Sequence, residues 1–221
     1  MTEDLKARIL ASARATPSPR RPASQVYAWL VLPSSIIVGA VLFFAFDGLH
    51  HGQGRPSWFY VASSIGWMAV ATLSVWAAFG RGGSALGRPR PWLTAVAIGT
   101  PALLFAMMSG FAVVHPEVTL LHAERLGLKC LGLTLAGAVF PLLSLAFLRR
   151  ASDPVHPVAT GAALGAACGA AAGVMVELWC PVAAPRHVAV GHILPIAIVS
   201  VVGALMGARV IAMRPRPRPR T

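Results

Sequence analysis

Six stretches of the chain lack the polar face that a water-facing helix shows every turn or two, and each is about the ~20 residues that a helix needs to cross a bilayer. They run from Tyr27 to Phe46, Trp58 to Phe79, Trp92 to Val114, Leu128 to Leu148, Val158 to Leu178 and Val188 to Gly207. Between Ala28 and Phe46, Trp58 and Phe79, or Trp92 and Val114 there is no charged side chain. The pattern predicts an all-α integral membrane protein, a bundle of six transmembrane helices. Trp29, Trp58, Trp92 and Trp179 fall near predicted span ends, where an interfacial aromatic belt belongs. Little else remains: an N-tail over residues 1–26, short loops within the 27–213 bundle, and a basic Arg-Pro tail over 214–221. The N-tail lacks the features of a cleaved signal peptide, so the first span is expected to be a retained anchor.

Charge fixes the expected orientation. If the first span leaves the cytoplasm, the inner side receives Lys6, Arg8, Arg14, Arg20, Arg21, Arg81, Arg88, Arg90, Arg149, Arg150, Arg209, Arg214, Arg216, Arg218 and Arg220. Only Arg55, Arg125, Lys129 and Arg186 stay outside, a ratio of fifteen to four. Basic residues collect on the cytoplasmic side of membrane proteins, so both termini are expected there, in a bacterial inner membrane. The net charge of +12 then reads as topology and contact with anionic membrane lipids. Nucleic-acid binding is not expected, since no folded soluble domain is left to carry a basic surface.

Within the spans, Gly161, Gly165, Gly169 and Gly173 recur every fourth residue and set a face without side chains along the fifth helix. Gly203 and Gly207 give the sixth a shorter version, so these two helices are expected to pack tightly. Pro33, Pro101, Pro141 and Pro195 each fall inside a span and remove a backbone donor there.

Candidate chemistry gathers on the expected outer side. His50, His51, His115, His122, His187 and His192 map there, with only His156 inside. Cys130 opens the fourth span and Cys180 closes the fifth, which places both thiols at about the same depth. A structural disulfide, a redox- or metal-responsive thiol pair and two unrelated cysteines remain open readings. With His187 and His192 nearby, these cysteines are weak metal-ligand candidates, because none of the tight zinc spacings is present. Glu177, the one acidic residue within a span, lies a helical turn before Cys180 and is a functional candidate by its position, close enough to the outer end to reach water. Cys168, in mid-span, is expected to be an inert packing residue. No nucleophile, base and orienting acid converge, and there is no phosphate-binding loop, haem-type histidine pair or CxxC. Neither an enzyme, a cofactor nor a small-molecule substrate is expected.

The N-tail is the expected output. Leu5, Ile9 and Ala13 share one side of a possible helix that begins with Glu3 and Asp4, and Arg8 lies beside them. Thr16 to Pro22 then breaks it with a stiff spacer. Such a helix suits a groove on a cytoplasmic partner.

Several segments carry a resemblance. Cys130-Leu-Gly-Leu, Pro141-Leu-Leu-Ser-Leu, Leu148-Arg-Arg, His156-Pro, the Gly161 to Gly173 ladder, Trp179-Cys180-Pro181 and Gly191-His-Ile-Leu-Pro195 resemble the NrsF-type family of six-helix membrane anti-sigma factors, over about residues 88 to 212. Within it, the length, basic ends and tryptophans look most like members that hold an extracytoplasmic-function sigma factor inactive in the dark. The resemblance implies sequestration of that sigma factor at the inner membrane, release on stress such as light acting through singlet oxygen, and negative regulation of carotenoid genes. It carries the family's outer cysteines onto Cys130 and Cys180, and its histidine before Leu-Pro onto His192. The family pattern has an aromatic before that histidine, where this chain has Gly191. Redox or sensing roles are expected at Cys130, Cys180 and His192, and at Glu177 by its place within the span. The rival readings are a small inner-membrane transporter or accessory subunit, or a periplasmic redox or metal sensor with another output.

Overall fold

A computed structural model describes residues 3–15, 30, 34, 57–79, 87–119, 126–150 and 155–212, and every element it forms there is helical. The helices are α1 (Glu3–Ala15), α2 (Ser57–Phe79), α3 (Arg90–Val114), α4 (Leu128–Leu148), α5 (Pro157–Trp179) and α6 (Pro185–Ile211), with one short turn of helix at Pro116–Thr119. Five of them, α2 to α6, are long and apolar enough to cross a membrane. All of the first predicted span except Leu30 and Ser34, the Thr16 to Pro22 spacer, the Arg214 to Arg220 tail, and His50, His51 and His122 lie outside the described residues.

α5 is the axis of the bundle and packs against α2, α3, α4 and α6. Its composition makes this possible: Ala163, Ala166, Ala167 and Ala170 are fully buried, and chains no longer than a methyl let four neighbours approach one helix. Cys168 is buried among them, as expected for a packing residue.

The glycine ladder does most, but not all, of what its spacing implies. A Cβ at Gly161 would collide with the carbonyl of Gly203, one at Gly165 with Val199 and Ser200, and one at Gly169 would lie 2.9 Å from Ile196 Cα. These three seat α6, and Gly203 and Gly207 complete the contact from its side. Gly173 faces elsewhere. A Cβ there would stand 2.8 Å from the indole of Trp67 on α2. Four residues turn a helix by more than one full circle of about 3.6, so a four-residue ladder drifts around the axis and its last member meets a different neighbour.

α6 begins at Pro185, earlier than its apolar run alone predicts, because a proline starts a helix without losing a bond and draws Arg186 and His187 into the first turn. The helix then widens into a π-turn over Ala189–Ile193, closed by the Leu194 N–H donating to the Ala189 carbonyl. Pro195 follows directly. Its ring would press on the carbonyl four residues earlier, and the wider turn relieves that pressure. A second π-turn covers Gly207–Ile211.

The outside of the bundle is apolar. Ile65, Leu73, Ile98, Val113, Phe140 and Val201 are all more than half exposed. Such a surface would drive aggregation in water and suits a lipid surround.

Candidate functional site

Three elements converge at the end of the bundle where α4 starts and α5 stops. Gly127, at a φ of +79°, caps α4 and turns the chain so that Cys130 enters the first helical turn facing inward. Cys180 ends α5, its N–H held by the Val176 carbonyl at 2.8 Å. After a four-residue loop whose last three residues are buried, α6 supplies His187 from its first turn and His192 from the π-turn.

The result is a compact donor set. His187 Nε2 lies 3.1 Å from Cys180 Sγ and 3.5 Å from Cys130 Sγ. One donor atom from each of Cys130, Cys180, His187 and His192 falls within 4.8 Å of the other three, and all four residues are buried. Neither cysteine is in a disulfide. Val176, Val182, Ala184, Leu133 and Trp179 wrap them in apolar side chains, and Lys129 sits 4.6 Å from the Trp179 ring at the rim. The neighbouring Cys130 thiol, then His187, hold the Cys180 thiol well below its ordinary range, against the upward push of burial.

Beneath the thiols lies a carboxyl group. Glu177 is fully buried, not in reach of water as its place near the span end implied. Two turns of packing account for the difference: α2 and α6 close over it. Ser63 Oγ donates to Glu177 Oε1 at 2.9 Å, and Glu177 Oε2 stands 3.4 Å from His192 Nδ1. Trp67, whose ring centre is 5.8 Å from that of His192, donates from Nε1 to the Ala170 carbonyl at 2.8 Å.

The structure thus brings Cys130, Cys180, His187, His192 and Glu177 together. It does not bring in His115, which pairs with Glu117 at 3.1 Å and packs on Trp58, nor His156, which caps α5 at the opposite end. Gly191, where the family pattern has an aromatic, has a local reason. It lies against the backbone of Gly127 and 3.1 Å, measured from a built Cβ, from Cys130 Cβ. Ser63, Trp67 and Gly127 were not legible as site residues. Ser63 and Trp67 sit in an apolar run whose other aromatics read as interface anchors, and only the unusual Ser63-Ser64 pair marked the place.

On α1, Leu5 and Ile9 are exposed, while Arg8 pairs with Asp4 at 3.4 Å and Lys6 with Glu3 at 3.9 Å.

Among the described residues the chain is a helical bundle with five helices long and apolar enough to cross a membrane, closed at one end around a buried cluster of two thiols and two imidazoles. The chain belongs to the family of negative regulators of sigma F, whose model matches residues 10–212. It is a negative regulator of a sigma factor. No curated protein matches it, and no solved structure does.

Proposed function

We propose that the chain spans the bacterial inner membrane six times with both termini in the cytoplasm, holds an extracytoplasmic-function sigma factor there, and releases it when the buried cluster reacts. Family membership supports the sigma-factor partner, and the charge distribution supports the orientation. The observation that carries the input is the convergence of two thiols and two imidazoles within 4.8 Å. Two cysteines and two histidines at that spacing form a donor set for a thiophilic cation. The same side chains, with Trp67 and Trp179 beside them, are those that singlet oxygen attacks, which is the light input drawn from the resemblance, with carotenoid genes as the output.

α1 supplies the contact to the sigma factor, through the exposed Leu5 and Ile9 flanked by Arg8. The basic tail binds anionic headgroups.

The test is purification of the tagged chain from unstressed cells in mild detergent, with mass spectrometry of the soluble protein that comes with it. A stoichiometric sigma factor is expected, lost when residues 2–20 are deleted and lost again when cells meet a thiophilic metal salt or light with a photosensitiser. Cys130→Ser with Cys180→Ser should keep the sigma factor bound under stress. If that double variant releases it as the parent does, the cluster is not the input; if no sigma factor accompanies the parent, a transporter or accessory subunit is the better description.

A further inference from the structure

A carboxyl group with no exposure inside an apolar bundle is costly unless a partner gives it work to do. Glu177 has two partners that come from different helices. Ser63 on α2 fixes Oε1, and Oε2 faces Nδ1 of His192 on α6. Neither ring nitrogen of His192 makes a hydrogen bond of good geometry, although the residue is fully buried. An imidazole held this way has one nitrogen beside a carboxyl oxygen and the other turned away from it, in a residue whose donor atom already falls within 4.8 Å of two thiols. That is the arrangement by which an outer carboxylate orients a ligating histidine and fixes its tautomer.

We infer that Glu177 is a positioning residue for the cluster: when the cluster takes up a cation, Glu177 accepts a hydrogen bond from the Nδ1–H of His192, leaves the Nε2 lone pair aimed at the space between Cys130 and Cys180, and is itself aligned by Ser63. The inference rests on the reading of the cluster as a cation site. The imidazole then completes a donor set of two sulfurs and two nitrogens, and α2 is tied through Ser63 to a site otherwise built from α4, α5 and α6. Trp67 shields this chain of contacts from below, its indole fixed on the Ala170 carbonyl. The cation would be one that favours sulfur and imidazole over oxygen.

The experiment titrates the detergent-purified full chain with Co2+ alone and reads two spectral regions. Thiolate-to-cobalt charge transfer reports the cysteines, and the ligand-field bands report the nitrogen ligands. The parent is expected to show both. Glu177→Gln, nearly identical in shape, should keep the charge-transfer band at saturation, shift the ligand-field bands, and weaken binding by about 10- to 100-fold. His192→Ala should weaken it as much, and the two changes together no further, since one acts through the other. Ser63→Ala should weaken binding several-fold, and decides the matter if the glutamine variant does not fold. Parent-like affinity in Glu177→Gln, or losses that simply add with His192→Ala, overturns the positioning role while leaving the cluster standing. A parent with no thiolate band overturns the cation site and the positioning role together.

Discussion

Gly191 lies so close to Gly127 that a Cβ built on it would stand 2.9 Å from the Gly127 carbonyl oxygen. This contact joins the π-turn that carries His192 to the left-handed cap that starts the Cys130 helix. The segments that carry His192 and Cys130 are therefore positioned by a pair of residues with no side chains. Gly191→Ala is expected to force them apart and to destabilise the protein by about 1–3 kcal/mol, as overpacking of a close contact does. Thermal unfolding in detergent measures it; a melting temperature equal to the parent's would mean the contact yields freely.

The three seating glycines of α5 should not tolerate bulk either. Gly161→Val places branched carbons against the Gly203 carbonyl and is expected to cost several kcal/mol or to prevent assembly of α5 with α6, while Gly132→Ala on α4, with nothing within 4 Å of its built Cβ, should change stability by about 0.5 kcal/mol or less. Expression level and melting temperature of the two variants give the comparison. Equal behaviour would remove the packing argument.

Trp67 offers a built-in reporter. Its ring lies against Gly173 and near His192, so a paramagnetic cation held by the cluster should quench its fluorescence. Trp67→Phe is expected to remove part of that quenching, the remainder coming from Trp179 beside the thiols, and to cost about 1 kcal/mol for the lost hydrogen bond to Ala170. Quenching of unchanged size in the phenylalanine variant would place the cation away from His192.

On the partner side, Leu5→Asp combined with Ile9→Asp should weaken capture of the sigma factor by at least about tenfold, roughly 1.4 kcal/mol. Lys6→Ala should change it less than about twofold, because an ion pair of 3.9 Å between exposed side chains contributes little. Co-purification yield from cells checks both, and equal yields from all three chains would exclude this face of α1.

What the sequence revealed of this protein depends on the distance over which each feature acts. Span limits are local properties of hydropathy, and α2 to α5 begin and end within two residues of their apolar runs. The start of α6 was hidden because Arg186 and His187 interrupt the pattern while Pro185 still opens the helix. Counting residues from helix ends puts Cys130 and Cys180 at one depth, since depth along a rod is a local property of the chain. Counting cannot give rotation about each rod. Whether Glu177 faced water or Ser63, and whether His192 pointed at a thiol or at lipid, depended on a π-turn and on which neighbour the drifting glycine face met. Those are tertiary outcomes, and a single sequence does not carry them.

Burial of the four donors has one more consequence. Cys130, Cys180, His187 and His192 expose 3 %, 2 %, 3 % and 0 % of their surface, so any ion that reaches them must first shed its shell of water. Magnesium and calcium hold that shell through bonds to oxygen that sulfur and imidazole do not replace. If the cluster is the cation site proposed above, abundant cations would be turned away before any ligand is offered, and the choice among metals would be made as much by dehydration as by the identity of the four side chains.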